Sequence, residues 1–197
     1  MKCILRLIEP DNGSISILGH EDLSVEARKR IGFMPENTYL YKYLSGREFL
    51  RFNGEFFNMP KEVLEAKIEE LLLKVGLQEA GDKLLAKYSK GMLQRIGLAQ
   101  AIINNPDIVF LDEPMSGLDP IGRRMVKDLI LDLKKEGTTV FFNTHVLPDV
   151  EDVCDRFAII HRGEIIASEE VKSIKGSLED YFIKKIQEHT EGELEVK

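Results

Sequence analysis

Ile108-Val-Phe-Leu-Asp-Glu-Pro114 is the stretch on which the reading of this chain turns. Four consecutive apolar residues without polar alternation suit a strand covered on both faces, the kind found inside parallel sheets. Asn105-Pro-Asp107 ends whatever precedes it, and Asp112 and Glu113 follow the apolar run directly. Two carboxylates are thereby expected at the carboxyl edge of a buried strand, where ligands of open α/β sheets collect.

Downstream, Ile121 to Glu136 reads as a charged amphipathic helix with Met125, Leu129, Ile130 and Leu133 on one face, closed by Gly137. Thr138 to Phe142 is a second short apolar strand, so strand, helix and strand predict a right-handed βαβ unit. Arg156 to His161 and Glu164 to Ala167 read as a hairpin about Arg162-Gly163, and Leu178 to Gln187 as a final helix. The acidic segment from Gln187 to Lys197 reads as a frayed tail.

Upstream, a helix is expected from about Gly91 to Asn104. Ser45 to Leu77 is a helical insert, its apolar positions Phe49, Phe52, Phe56, Phe57, Val63, Ile68, Leu71, Leu72 and Val75 recurring at helical spacing. Asn58-Met-Pro60 divides it into two helices. Arg30 to Met34 and Ser14 to Leu18 read as strands. Met1 to Ile8 reads as the end of a helix, stopped by the turn residues Glu9 to Gly13. The fold class is α/β: one domain, with a helical subdomain over about 45–104, a sheet core over about 105–170, and a C-terminal helix and tail over 177–197.

Composition narrows the classes. In 197 residues, 27 basic against 34 acidic side chains give a net charge of −7, without the basic footprint that nucleic-acid binding demands. Nucleic acid is therefore not an expected partner. Cys3 and Cys154 lack metal-ligand spacing and do not make a disulfide framework, which fits a reducing, cytoplasmic compartment. No apolar run approaches the roughly 18 residues needed to span a bilayer, so membrane association is expected only through a partner.

Four short motifs carry chemistry. In a phosphoryl-transfer site, Asp112 would hold Mg²⁺ and Glu113 would orient or deprotonate the attacking water; the bland reading is an acidic helix cap or turn. Ser116-Gly-Leu-Asp-Pro120 pairs a flexible Gly117 with Asp119, a ready cap for a helix beginning at Pro120, and also suits a loop that touches a second subunit's site. The second strand delivers Asn143-Thr-His145 to the same sheet edge, where His145 could contact a γ-phosphate or the water; a single histidine after a strand is otherwise an ordinary surface or core residue. Tyr88-Ser-Lys-Gly-Met-Leu-Gln-Arg95 opens a helix, with Ser89 as N-cap and Gly91 allowing close backbone approach, an arrangement that attracts phosphate and is also commonplace.

Taken in order, these motifs resemble the nucleotide-binding subunit of ATP-binding cassette (ABC) transporters: a signature at Tyr88 to Arg95, Walker B at Ile108 to Pro114, a D-loop at Ser116 to Pro120 and a switch at His145. The resemblance extends over essentially the whole chain. It implies a P-loop NTPase-like core with ATP and Mg²⁺ as cofactors: Asp112 on the metal, Glu113 and His145 catalytic, and Ser89, Gly91, Asp119 and Glu36 on the nucleotide side. It further implies a permease partner docked on Glu36 and Ser45 to Leu77, a second ATPase subunit, and a cytoplasmic place against the inner face of the membrane. Lys90 and Met92 depart from the commonest signature, and Glu36 stands where the family usually has glutamine. Both variants resemble the bacterial ABC-2-type exporter branch, with separate ATPase and permease chains.

No Gly-x-x-x-x-Gly-Lys-Ser/Thr run occurs in the 197 residues. The expectation from the resemblance is a cassette truncated after that Walker A loop, without the strands before it and inactive alone. Chromosome-maintenance ATPases, which carry long coiled-coil heptads, and translation ATPases, which join two cassettes, fit less well. A non-catalytic remnant or interaction subunit that docks a permease without hydrolysis stays open.

Overall fold

The structure is a computed structural model that describes residues 1–21, 23–36 and 41–195, with side chains as far as residue 191. It divides into two compact units, Met1–Asn143 and Thr144–Lys197.

The first unit is built on a three-stranded sheet of β1 (Ile31–Met34), β2 (Ile108–Asp112) and β3 (Thr139–Asn143), in that order and all parallel. The register aligns Met34 with Leu111, and Asp112 with Asn143, so the carboxyl ends of the strands share one edge. Alternation along β1 and β2 divides the two faces. Ile31, Phe33, Ile108 and Phe110 pack with Leu5 and Ile17 from the first twenty residues. On the opposite face Gly32, Met34, Val109 and Leu111 are buried, and β1 lies against helix α4 (Lys90–Ala101). Covered on both sides, β2 is a continuous apolar run because neither face meets water.

Four other helices complete the unit: α1 (Val25–Lys29), α2 (Gly46–Glu55), α3 (Lys61–Lys74) and α5 (Pro120–Lys135). Ser45 starts α2 with a full capping box, its hydroxyl accepting from Glu48 N–H and the Glu48 carboxylate accepting from Ser45 N–H at 2.8 Å. Asn58, at φ 53°, and Pro60 separate α2 from α3, as expected. Helices α2, α3 and α4 pack on one another through Phe49, Leu50, Leu64, Ile68, Leu71 and Ile96 among others. Arg51 spans α2 and α3 by donating two hydrogen bonds to Glu65, at 2.5 and 2.8 Å, which hold that carboxyl below its usual range. Helix α5 lies on β3 and buries Val126, Leu129, Ile130 and Leu133; Val126, not Met125, is the fourth member of its apolar stripe.

Residues 1–7 have the geometry of a helix C-terminus. Leu7 N–H donates to Lys2 C=O and Arg6 N–H to Cys3 C=O, with Arg6 at φ 53°, which is a Schellman closure. Ser14 to Leu18, read as a strand, is not one. Only Ile17 bridges, to His20, across the positive-φ pair Leu18-Gly19. The alternating isoleucines mark which side chains turn into the core; a strand also needs a partner, and among the described residues none pairs with Ser14 to Ser16.

In the second unit, α6 (Leu147–Val153) precedes an antiparallel hairpin of β4 (Arg156–His161) and β5 (Glu164–Glu170), turning on Arg162 and Gly163 as expected. Helix α7 (Leu178–Glu195) runs well past the expected end at Gln187. Its polar second half is helical because a helix does not require apolar residues where side-chain pairs support it. Lys185 donates to Glu188 at 2.8 Å, Thr190 to the Ile186 carbonyl at 2.8 Å, and His189 meets Glu164 at 3.1 Å.

Gly32 sets how closely β1 approaches α4. A Cβ there would overlap the Ala101 carbonyl oxygen and press Val109 at 3.0 Å, and a backbone oxygen cannot rotate away. Gly32→Ala is predicted to cost about 3 kcal/mol through overpacking, lowering Tm by roughly 6–12 °C in a thermal denaturation monitored by circular dichroism.

Candidate functional site

The sheet edge gathers the two acids. Asp112 ends β2 level with Asn143 of β3, whose side-chain amide donates to the Asp112 carboxylate at 3.3 Å. Glu113, the next residue, is at φ 50°, a left-handed conformation that an L-residue adopts at a cost of roughly 1–2 kcal/mol. Three hydrogen bonds to its backbone hold it there. Its N–H donates to the Asn143 carbonyl at 3.1 Å, and its carbonyl accepts from Ser116 N–H at 3.1 Å and from the Gln94 side-chain amide at 2.9 Å. Both residues are half-buried. Strain of this kind, over-determined by its surroundings, is typical of residues that must be aimed.

Glu36 lies two residues beyond Met34, which is level with Leu111, so the chain after β1 leaves the sheet at the same edge; Glu36 is exposed. Residues 37–40, which continue the segment, lie outside the described residues.

A second group forms where α4 and α5 begin. Ser89 is the N-cap of α4, its hydroxyl accepting from Met92 N–H at 3.2 Å. Asp119 caps α5, accepting from Gly122 N–H at 2.7 Å, with Pro120 at the first helical position. Ser89, Gly91, Gly117 and Asp119 line one cleft of about 440 Å³. Gly117, at φ 70°, runs under Lys90: a Cβ there would press its Cε at 2.7 Å. The end of α4 that carries Ser89 is fixed from behind, since Tyr88 is buried and its hydroxyl donates to Ala80 C=O at 2.8 Å. Arg95 donates to the Val75 and Gly76 carbonyls at 3.0 and 3.2 Å, closing the C-terminus of α3. Two motifs separated in sequence therefore bring two capped helix starts and small residues to a shared cleft.

His145 belongs to the second unit, exposed, in the bend before α6, where Thr144 accepts from Val146 N–H at 3.1 Å. Within the first unit, then, Asp112 and Glu113 share one edge, and Ser89, Gly91 and Asp119 share one cleft. Sequence reasoning passed over Gln94 and the side chain of Asn143. The available signal for Gln94 was an amide set among Leu93, Ile96, Gly97 and Leu98 on a helix that is otherwise mostly buried.

Comparison with known proteins follows the same lines. Residues 1–116 match the family model described as ABC transporter. An uncharacterized ABC transporter ATP-binding protein of a Nostoc species is 45% identical over 93% of this chain and 55% of its own length. The uncharacterized ABC transporter ATP-binding protein YxlF of Bacillus subtilis is 40% identical, over 100% of this chain and 66% of its own. The bacitracin transport ATP-binding protein BcrA of Bacillus licheniformis is 38% identical over 84% and 54%. The chain thus spans between about half and two thirds of the length of these relatives. A solved structure described as the ATP binding subunit of an ABC transporter superposes with a TM-score of 0.85 and 28% identity, over 94% of this chain and 81% of the other.

The left-handed backbone at Glu113 has a measurable consequence. Glycine takes φ 50° without steric penalty, so Glu113→Gly is predicted to stabilise the fold by about 1 kcal/mol. The expected rise in Tm is roughly 2–4 °C; a fall would show that the carboxylate contributes more to the folded state than its backbone costs.

Proposed function

The chain belongs to the ABC transporter family, and on that premise we propose that it is the ATP-binding and ATP-hydrolysing part of an exporter's ATPase subunit. The observation that carries this reading is the pair Asp112–Glu113 at the carboxyl edge of a parallel sheet, with the Glu113 backbone over-determined in a strained conformation. Asp112 is the residue suited to Mg²⁺, since a carboxylate at a strand end, steadied by Asn143, offers a hard oxygen ligand. Magnesium would supply charge neutralisation of the phosphates. Glu113 orients the attacking water and takes its proton; His145, two residues after Asn143, is assigned to the same reaction from its sequence position.

Ser89 and Gly91 at the start of α4, with Asp119 in the facing loop, form the surface offered to the nucleotide of a second ATPase subunit, ATP lying between the two copies. The cleft shared by these residues supports that assignment. The permease partner docks on the helical subdomain and Glu36. Support comes from an exposed aromatic ladder: Tyr41 meets Phe52 edge-on at 5.4 Å, Phe52 meets Phe56 at 5.2 Å, and Phe56 is 65% exposed. No helix among the described residues is long and apolar enough to cross a membrane; we assign the subunit's place at the cytoplasmic face to that docking. Coupling to export is supported by a relative, 36% identical over 88% of this chain, that is named as a fluoroquinolones export ATP-binding protein.

The test is Glu113→Gln in the complete permease-bound subunit. Turnover is predicted to fall at least about 100-fold while Mg-ATP still binds, because the amide keeps the shape of the carboxylate and cannot accept the proton. Turnover within twofold of the parent overturns the reading. The 197-residue chain contains no Gly-rich phosphate loop and is therefore expected to be inactive alone. Calorimetric titration of this chain with Mg-ATP is predicted to give no saturable heat below about 1 mM; micromolar binding to monodisperse protein contradicts that part.

A further inference from the structure

We propose that Gln94 is the positioning residue for Glu113: by holding the Glu113 carbonyl it fixes the left-handed backbone that aims the carboxylate, joining the signature helix to the water-activating group. The proposal rests on the reading of Glu113 given above and concerns a residue to which that reading assigns no role.

The geometry is specific. Gln94 is 4% exposed, on the second turn of α4, and its side-chain Nε2 lies 2.9 Å from Glu113 O. Only the amide nitrogen can donate to a carbonyl, so the orientation of the side chain is determined by its partner. A buried amide among apolar neighbours is costly unless paired, and this one spends its donor on the residue beside the metal-side acid that departs from ordinary backbone conformation. Ser116 N–H occupies the other acceptor position of the same carbonyl, and Asn143 C=O holds the N–H. With three bonds made, the extended alternative is closed to Glu113. Without Gln94 the carbonyl keeps one donor, and relaxation of φ toward negative values swings the Cα–Cβ bond, and the carboxylate with it, away from the sheet edge.

The same contact has a consequence for coupling. Helix α4 begins at Ser89 in the cleft assigned to the partner's nucleotide, and Gln94 lies on the next turn. A small rotation of α4 on occupation of that cleft is transmitted to Glu113 through one hydrogen bond, so the catalytic group senses whether the opposite site is filled.

Gln94→Met keeps the length and bulk of the side chain and removes the donor. In the complete permease-bound subunit, kcat is expected to fall about 10- to 100-fold with KM for Mg-ATP within twofold, and the loss is expected to vanish in a Glu113→Gln background. In the 197-residue chain, the Glu113 amide is expected to exchange with solvent at least about tenfold faster in Gln94→Met than in the parent. Gln94→Asn, one methylene shorter, places its donor out of reach and is expected to repeat both effects. An unchanged kcat in both variants, or a loss that is additive with Glu113→Gln, overturns the proposal, as does unchanged exchange at Glu113. If instead Glu113→Gln alone keeps full turnover, the assignment of Glu113 has failed, and exchange at Glu113 still reports whether the Gln94 contact holds its backbone.

Discussion

The parallel register of β1, β2 and β3 is the constraint from which the rest of the first unit follows. Ordering three strands side by side in one direction leaves the backbone groups at their carboxyl ends without ladder partners, and the chain must satisfy them or leave them to a ligand. At β2 it satisfies them in an unusual way. The Glu113 N–H reaches across to Asn143 on the neighbouring strand, and the Glu113 carbonyl is taken by Gln94 and Ser116. These bonds fix, at positive φ, the backbone from which the Glu113 side chain leaves.

That economy extends to the helices around it. Helix α4 packs on β1 because Gly32 has no side chain, and the closeness of that approach brings Gln94 within reach of the end of β2. At its other side α4 is fixed by Tyr88 and Arg95, each spending a polar group on a carbonyl of the segment between α3 and α4. The helical subdomain thus reaches the sheet edge through short, directional bonds, and the central ring of its aromatic ladder, Phe52, lies on a helix, α2, packed against α4. Movement imposed at the aromatic surface has a packed route to the acids, of the kind that coupling between distant sites requires.

Much of this was readable beforehand. The apolar run Ile108 to Leu111 identified the buried strand, the spacing of Phe49 to Val75 identified two helices, and Ser89, Asp119 and Pro120 announced their caps, because each rests on local chemistry that holds wherever the segment sits. Ser14 to Leu18 misled for the same reason: alternation reports which side chains are inward, and pairing is a property of two segments. The acidic tail misled in the opposite direction, since side-chain pairs along α7 sustain a helix where apolar periodicity is weak.

Residue type and spacing along one chain are enough for the α/β class, the order of the motifs, and which acids stand at a strand end. They could not determine that Glu113 takes a left-handed backbone, that Asn143 steadies Asp112, or that Gln94 reaches across from another element. Those facts arise from the register between strands and the distance between a helix and a sheet, which residues far apart in the chain set jointly. A glutamine in an apolar helix is only an oddity in one dimension; its meaning appears when folding places a carbonyl 2.9 Å from its amide.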